Sequence, residues 1–101
     1  MKVADIVVSL NGRDAGKRFI IIGTEDEYSL IADGKNRRYE KPKRKKNKHL
    51  KYEGIANDII AAKLTEVGNV TNNEIRRTLA QYAADHNVLP LQNNTKKEGG
   101  M

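Results

Sequence analysis

The chain has no cysteine and no tryptophan among its 101 residues, and only one phenylalanine, four tyrosines and two prolines. Without thiols it can form neither a disulfide framework nor a thiolate zinc site, so its stability has to come from packing or from a bound partner. Few aromatic rings also leave few members for a platform on which successive bases stack. If the protein binds a nucleic acid, we expect it to recognise backbone and shape.

Long apolar runs are missing as well. No apolar run exceeds four residues, as in Phe19-Ile20-Ile21-Ile22, and Asp5 interrupts the N-terminal segment early. We therefore expect neither a secretory signal nor a membrane span, and a cytoplasmic location without a membrane partner. The length and the 38% hydrophobic content fit one small domain, or a domain with an appendage, around a modest core.

Positive charge, in contrast, is concentrated in one segment. Ten of the seventeen residues in 35–51 are Lys or Arg and only Glu40 is acidic, whereas the rest of the chain holds 9 basic and 12 acidic residues. Confining about +9 charge to this segment costs self-repulsion, which an anionic polymer relieves while it releases condensed counterions. The pattern predicts a nucleic acid as partner, although an isolated charge run is also typical of a solvated or disordered segment.

Short β-branched or alternating stretches, separated by Gly, Asn and Asp, predict antiparallel strands in the first half of the chain. Five strands are expected, at residues 5–10, 17–23, 28–32, 37–40 and 48–52. In the first strand we expect Ile6, Val8 and Leu10 to face the core while Asp5 and Ser9 face outward. Five short strands in so short a stretch suggest a small barrel.

Local signals refine the strand prediction. The run Phe19 to Ile22 indicates that both faces of the second strand are covered near its centre. Asp33-Gly34 is a two-residue hairpin signal that predicts a direct return into the fourth strand. Pro42 is expected to end that strand, because proline cannot donate to a ladder.

Beyond Gly54 the apolar spacing becomes helical. One helix is expected around residues 57–66 with Gly68 as its stop, and Thr71-Asn72-Asn73-Glu74 fits a capping box ahead of a second helix that Pro90 limits. The apolar stripes either pack on the barrel or engage a protein partner. The predicted organisation is a barrel with a basic loop at 1–53, a helical extension at 54–90 and a disordered tail at 91–101.

The segment 6–22, IVVSLNGRDAGKRFIII, resembles the KOW motif: a strand, a glycine-bearing turn with interleaved charges, and a returning strand. Ala32-Asp33-Gly34-Lys35, Lys41-Pro42-Lys43 and Lys46-Asn47-Lys48-His49-Leu50 resemble the body of KOW proteins related to a eukaryote-type and archaeal-type large-subunit ribosomal protein family. The similarity spans residues 3–82. It implies a mainly β fold with a small α extension: an SH3-like five-stranded barrel followed by two short helices. It also implies binding of ribosomal RNA and association with ribosomal or translation proteins.

The glycine turn suits an RNA backbone. Gly12 and Gly16 let the main chain approach a sugar-phosphate strand closely. Donors to phosphate oxygens are expected at Arg13, Lys17 and Arg18. We expect Asp14 to orient a neighbouring basic group. Taken by itself, the turn is also typical of a plain β-turn with solvated charges.

The other expected RNA contacts lie in the basic segment: Lys35, Arg37, Arg38, Lys41, Lys43, Arg44, Lys45, Lys46, Lys48 and His49. Tyr39 and His49 are also candidates for stacking on an exposed base, but a barrel residue with a polar tip is the commoner explanation for each. Arg76 and Arg77 on the second helix are a possible second phosphate contact, or simply a solvated face.

No catalytic machinery is predicted. The segment 12–18 has three rather than four residues between its glycines, and Arg18 stands where a P-loop carries Ser or Thr. His49 and His86 are far apart and no thiol accompanies them, so neither a metal cluster nor a nucleophile–base pair is indicated. We expect no cofactor, no metal and no small-molecule substrate.

The expected function is that of a non-enzymatic, ribosome-associated RNA-binding protein that contacts the RNA backbone through the glycine turn and the basic loop. An accessory role is favoured over constitutive ribosome membership, because the helical extension is short. The alternative is a KOW-type protein-interaction adaptor in transcription or translation, and a third hypothesis is an architectural DNA-binding protein.

Overall fold

The computed structural model describes residues 1–86 as one antiparallel sheet of five strands with two helical segments. The strands are β1 (Asp5–Ser9), β2 (Arg18–Glu25), β3 (Tyr28–Ala32), β4 (Lys43–Lys46) and β5 (Leu50–Ile55), with a 3₁₀ turn at Asn47–His49. Helix α1 (Asp58–Ala62) continues into a π-helical stretch at Lys63–Val67, and α2 spans Asn72–His86. Pro90 and the expected tail at 91–101 lie outside the described residues. Within residues 1–86, no helix is long and apolar enough to cross a membrane.

The strand order is β4-β3-β2-β1-β5, so β1 and β2 lie inside the sheet and β4 and β5 at its edges. Strands β1, β2, β3 and β5 overlap the expected positions, but the expected strand at 37–40 is wrong. The fourth strand is instead the basic run Lys43–Lys46, which pairs with β3 from Ile31↔Lys43 to Tyr28↔Lys46. Pro42 precedes this strand and does not end one, because a residue before the first ladder position needs no donor.

Both faces of the sheet are covered by apolar side chains. One face packs against the helices in a cluster that includes Ile6, Ile20, Ile60 and Ile75. The opposite face carries a second cluster, whose buried members are Val7, Phe19, Ile21, Ile31 and Leu50. The prediction that both faces of the second strand are covered is thereby confirmed. Burial of each large apolar side chain in these clusters stabilises the fold by about 1.5–3 kcal/mol relative to exposure.

Covering both faces also explains why the expected alternation in β1 is wrong. Ile6 is buried as predicted and Val8 is half-buried, whereas Leu10 follows the last residue of β1 and is 54% exposed. Asp5 and Ser9, expected to face outward, are buried and satisfied by hydrogen bonds: the Asp5 carboxylate accepts from the backbone N–H of Lys2 at 2.8 Å, and the Ser9 hydroxyl donates to the Asn11 carbonyl at 3.0 Å. A central strand with cover on both sides has no outward face.

Helix α2 begins, and the first helical segment ends, where the sequence predicts. The Asn57 side chain accepts from the N–H of Ile60 at 3.0 Å, and Gly68 closes the helical segment in the left-handed conformation with φ 70°. In the capping box, the N–H of Glu74 donates to the Thr71 hydroxyl at 3.1 Å while the N–H of Thr71 donates to the Glu74 carboxylate at 3.0 Å. Members of both apolar stripes, Ile60 and Leu64 in the first and Ile75 in the second, pack on the sheet, whereas Val67 is 71% exposed. Engagement of a protein partner by the helices stays a prediction.

The sheet is strongly curved. Register shifts interrupt the ladders beside Ile6 and beside Ile21, and such bulges bend a strand and increase its twist. The ammonium of Lys45 on edge strand β4 lies 2.6 Å from the hydroxyl of Ser9 at the end of β1, although β3 and β2 separate these strands in the sheet. The curvature brings the turn after β1 close to the basic segment.

Candidate nucleic-acid interface

The turn between β1 and β2 contains two glycines whose backbones adopt the left-handed conformation. Gly12 and Gly16 have φ values of 80° and 84°, a region that costs an L-residue about 1–2 kcal/mol. The N–H of Gly16 donates to the Ser9 carbonyl at 2.8 Å, and the N–H of Lys17 donates to the Asp14 carbonyl at 3.0 Å. Both glycines are exposed, as expected for a turn that approaches a backbone.

Asp14 fixes this turn to strand β4. Its Oδ1 accepts from the Lys45 ammonium at 3.0 Å and from the Ser9 hydroxyl at 3.1 Å, while the Lys43 ammonium lies 3.3 Å from Oδ2 without hydrogen-bond geometry. Burial by itself raises the pKa of Asp14, but the hydrogen bonds and the two ammonium groups outweigh it and lower that pKa from 3.8 to about 2. Asp14 therefore does orient neighbouring basic groups, and those groups are lysines of the basic segment.

The pleat of β4 sorts its four basic residues onto two faces. Lys43 and Lys45 pair with Ile31 and Ser29 and share their inner face. Arg44 and Lys46 lie on the other face, where the Arg44 guanidinium is 3.6 Å from the centroid of the Tyr28 ring. Arg44 also forms an ion pair with Glu25 at 2.8 Å. A run that reads as one solvated loop is thus an edge strand with two differently engaged faces.

Five of the expected RNA contacts have a carboxylate partner within residues 1–86. They are Arg18 (with Glu53), Arg38 (with Glu40), Arg44 (with Glu25), and Lys43 and Lys45 (both with Asp14). Lys45 is only 7% exposed, and its ammonium also donates to the Asn11 carbonyl at 2.9 Å. It presents no donor to solvent, so it does not belong to an exposed interface.

Three other expected contacts converge on one cleft. Arg13 and Lys17 from the glycine turn and Arg37 from the loop after β3 line a cavity of about 330 Å³, together with Asp14, Phe19, Asp33 and Asn36. All three cations are exposed, and the ion pairs within residues 1–86 include none of them. The fold therefore joins the glycine turn and the basic segment into one electropositive site.

The loop that carries Arg37 closes on itself. The Asp33 carboxylate accepts from the N–H of Lys35 at 2.9 Å and from the N–H of Arg37 at 2.8 Å. The N–H of Asp33 donates back to the Arg37 carbonyl at 2.8 Å. These local bonds take the place of the direct hairpin return that Asp33-Gly34 predicts, which is why no strand forms at 37–40.

The start of α2 anchors the same loop. The Arg76 guanidinium donates to the Gly34 carbonyl at 2.5 Å, the N–H of Tyr39 donates to the Asn72 side chain at 2.7 Å, and the Asn72 amide donates to Glu40 at 2.7 Å. The Asn72 and Arg38 hydrogen bonds lower the pKa of Glu40 to about 2. Sequence reasoning missed these anchors, because a helix N-terminus that binds a distant loop has no local signature.

The remaining expected RNA contacts lie around the electropositive cleft or elsewhere on the basic segment. Lys35, Lys41 and Lys48 are exposed, Lys46 is half-buried, and the His49 ring is 3.0 Å from the Asn11 amide beside the glycine turn. The Tyr39 hydroxyl donates to the Gly68 carbonyl, which favours a packing role over stacking on a base. Arg76 anchors the loop, whereas Arg77 lines a separate cavity of about 290 Å³ between α1 and α2.

No cluster of three or more His, Asp or Glu suited to a metal ion occurs in the part of the chain that the structure describes. Comparison with models of known protein families finds no match for this chain, and comparison with curated proteins finds no relative. Function therefore has to be inferred from the chemistry of the site.

Proposed function

We propose that this protein is a non-enzymatic RNA-binding module of the KOW type, with an SH3-like barrel, that associates with ribosomal RNA in the cytoplasm. The observation that carries the proposal is the convergence of Arg13, Lys17 and Arg37 on one cleft without carboxylate partners in the described chain. Exposed cations that converge on a concave surface raise the local concentration of polyanions. Lys35, Lys41 and Lys48 extend the contact surface.

Backbone contacts fit the residues at this surface. Arginine and lysine donors suit phosphate oxygens, and neutralising each phosphate releases condensed counterions. A Cβ built at Gly16 meets nothing within 4 Å, so a strand of RNA has open access to the main chain there. The curvature that lets Lys45 of β4 reach Ser9 of β1 supports the barrel part of the proposal.

The salt dependence of RNA affinity tests this assignment. We expect the double variant Arg13→Gln/Arg37→Gln to bind a fluorescein-labelled RNA hairpin more weakly, and to lower the slope of log affinity against log salt by about 2, since each lost phosphate contact removes about 1. The control Arg44→Gln/Arg77→Gln removes the same charge outside the cleft, and its slope should change by less than about 1. Equal effects in both variants would contradict the assignment of the cleft, and absence of binding at low salt would refute RNA binding.

Partner type is tested separately. The wild type should bind A-form RNA more tightly than duplex DNA of the same sequence at matched salt, because only RNA offers 2′-hydroxyl groups. It should also cosediment with ribosomal particles and be released by nuclease. Equal affinity for DNA would favour the architectural hypothesis instead.

A second candidate function, a protein-interaction adaptor, is favoured by apolar side chains on the helical segment. Ile59 is 70% exposed and Val67 is 71% exposed, and both lie outside the electropositive cleft. A complex with a translation or transcription protein that survives nuclease and is lost in Ile59→Asp would support this function. A complex that disappears with the RNA would contradict it.

A further inference from the structure

Resting on the proposed RNA binding, we propose that the cleft between the glycine turn and the loop 33–37 receives a single unpaired nucleotide displaced from an RNA helix. The rest of the basic surface holds the flanking backbone. The cleft then selects helices that carry a bulged or flipped-out base over smooth duplexes.

The shape of the cleft supports this occupant. Its volume of about 330 Å³ lies at the lower end of the range for ligand pockets, which begins at about 300 Å³. The phosphate backbone of an A-form duplex is convex, so it can cover the mouth of such a cleft without filling it. A base and sugar turned out of the helix can enter.

The lining has the chemistry of a base site. Phe19 is the one apolar residue that residues 1–86 contribute to the lining, and it is 1% exposed, so it lies at the bottom of the cleft. Arg13 and Arg37 come from two separate elements, and the planar guanidinium group stacks on the faces of unstacked bases. Lys17 adds a point charge suited to the phosphate of the same nucleotide.

The polar groups of the cleft argue against a bare phosphate as its occupant. Asp14 and Asp33 line the cleft beside the three cations, but the charge of Asp14 is already compensated by Lys43 and Lys45. The remaining carboxylate, that of Asp33, disfavours a doubly charged anion next to it. The Asn36 amide offers both a donor and an acceptor, as the edge of every base requires. A neutral base with a single attached phosphate matches this mixed lining better than an isolated anion.

Both segments that line the cleft, the glycine turn and the loop 33–37, are fixed by hydrogen bonds before RNA binds. The turn is fixed through Asp14 to the buried Lys45, and the loop is fixed through Gly34 and Tyr39 to α2. A prearranged site loses less conformational freedom when it binds, so more of the contact energy is available for discrimination.

Three fluorescein-labelled RNA hairpins with one stem and one loop sequence test the proposal: fully paired, with one bulged nucleotide, and with an abasic residue at the bulge. Anisotropy titrations at one fixed salt concentration should show that the bulged hairpin binds at least about tenfold more tightly than the paired one, the effect of one stacked base. The abasic hairpin should bind like the paired one.

Variants locate the effect. Asn36→Ala removes an exposed amide from the cleft, so it should leave thermal unfolding unchanged and lower the affinity for the bulged hairpin more than the affinity for the paired one. Asn69→Ala, an equal change at an exposed position outside the cleft, should alter neither. An unchanged bulge preference in Asn36→Ala would overturn the assignment of the base to this cleft.

The wild-type titrations separate the two proposals. Equal affinity for paired and bulged hairpins overturns the nucleotide site while RNA binding stands. An abasic bulge that binds as tightly as the intact bulge also overturns it, because a bent backbone is then sufficient. No binding to any of the three hairpins at low salt refutes the RNA-binding function and the nucleotide site with it.

Discussion

Strand β4 and the electropositive cleft are both rich in basic residues, yet the fold treats their charges in opposite ways. In β4, Lys43 and Lys45 are drawn onto Asp14, and Arg44 lies against Glu25 and Tyr28. In the cleft, Arg13 and Lys17 from the glycine turn meet Arg37 from the loop after β3, and none of the three has an ion-pair partner within residues 1–86. The density of charge along a sequence therefore does not identify the surface that presents it.

The basic residues of β4 also have a structural reason to be there. β4 is an edge strand of the sheet, and lysines on an edge discourage pairing with another chain. Part of the self-repulsion expected of the basic segment is relieved inside the fold by Asp14, Glu25 and Glu40. The charge available to an external polyanion is accordingly smaller than the sequence suggests.

The largest effect should come from breaking the internal pair. Lys45→Ala leaves Asp14 buried with only the Lys43 ammonium, 3.3 Å from its Oδ2, and should lower the free energy of unfolding by about 3 kcal/mol. Lys46→Ala, on the other face of the same strand, should cost less than about 1 kcal/mol. Urea titration of both variants measures the difference.

A double variant separates loss of the charge pair from loss of packing. Lys45→Met/Asp14→Asn should recover part of the stability that Lys45→Ala loses, because no buried charge remains unpaired. Similar stabilities of Lys45→Ala and Lys46→Ala would show that the two faces of β4 do not differ as described. Charge reversal across the whole strand is a poor probe of RNA contact, since it would place a carboxylate at position 45 beside Asp14.

Acid should weaken the same pair by a smaller amount. The pKa of Asp14 is about 2 in the folded protein against an ordinary 3.8, so its contribution is fully present above about pH 4 and is lost as the pH falls towards 2. The expected loss is on the order of 2 kcal/mol. Urea unfolding between pH 5 and pH 2 should show a steeper decline for the wild type than for Asp14→Asn. Equal slopes would mean that other carboxyls, such as Glu40 and Glu74, account for the decline.

A smaller difference should separate two glycines with similar backbone conformation. Gly34 and Gly16 have φ values of 79° and 84°, but a Cβ at Gly34 would lie 2.4 Å from the Asn72 carbonyl oxygen, whereas one at Gly16 has nothing within 4 Å. Gly16→Ala should cost about 1 kcal/mol from its backbone alone, and Gly34→Ala about 1–2 kcal/mol more because the loop must leave α2.

RNA affinity should fall more in Gly34→Ala than in Gly16→Ala. We expect a several-fold loss in Gly34→Ala, because the loop that carries Arg37 shifts. Thermal unfolding and hairpin titration of the two variants make the comparison. Identical behaviour would show that α2 does not fix the loop.

Local patterns in the sequence predict the elements whose signals are local. Strand β3 and the capping box of α2 lie where residue types alone place them, because alternation and side-chain capping act within a few residues. The prediction of a strand at 37–40 failed because the Asp33 turn and the anchors on α2 hold that segment. No periodicity contains such contacts.

The candidate site was predictable only as a set of residue types. Arg13, Lys17 and Arg37 were expected contacts, but their convergence depends on the order of the strands and the curvature of the sheet. The burial of Ser9 and Lys45 escaped prediction because polar residues in an alternating pattern suggest exposure. KOW membership and association with ribosomes stay predictions.

The two anchors of the basic loop set its length. Gly34 is tied to Arg76 and Tyr39 is tied to Asn72, one helical turn away on the same helix. Residues 35–38 between them are exposed, so we expect changes of their side chains to alter the binding surface without disturbing the core. Deletion of one of these residues should pull an anchor off the helix, and insertion of one should loosen the loop. Substitutions within residues 35–38, rather than insertions or deletions there, are therefore the changes expected to alter RNA preference while the loop stays anchored to α2.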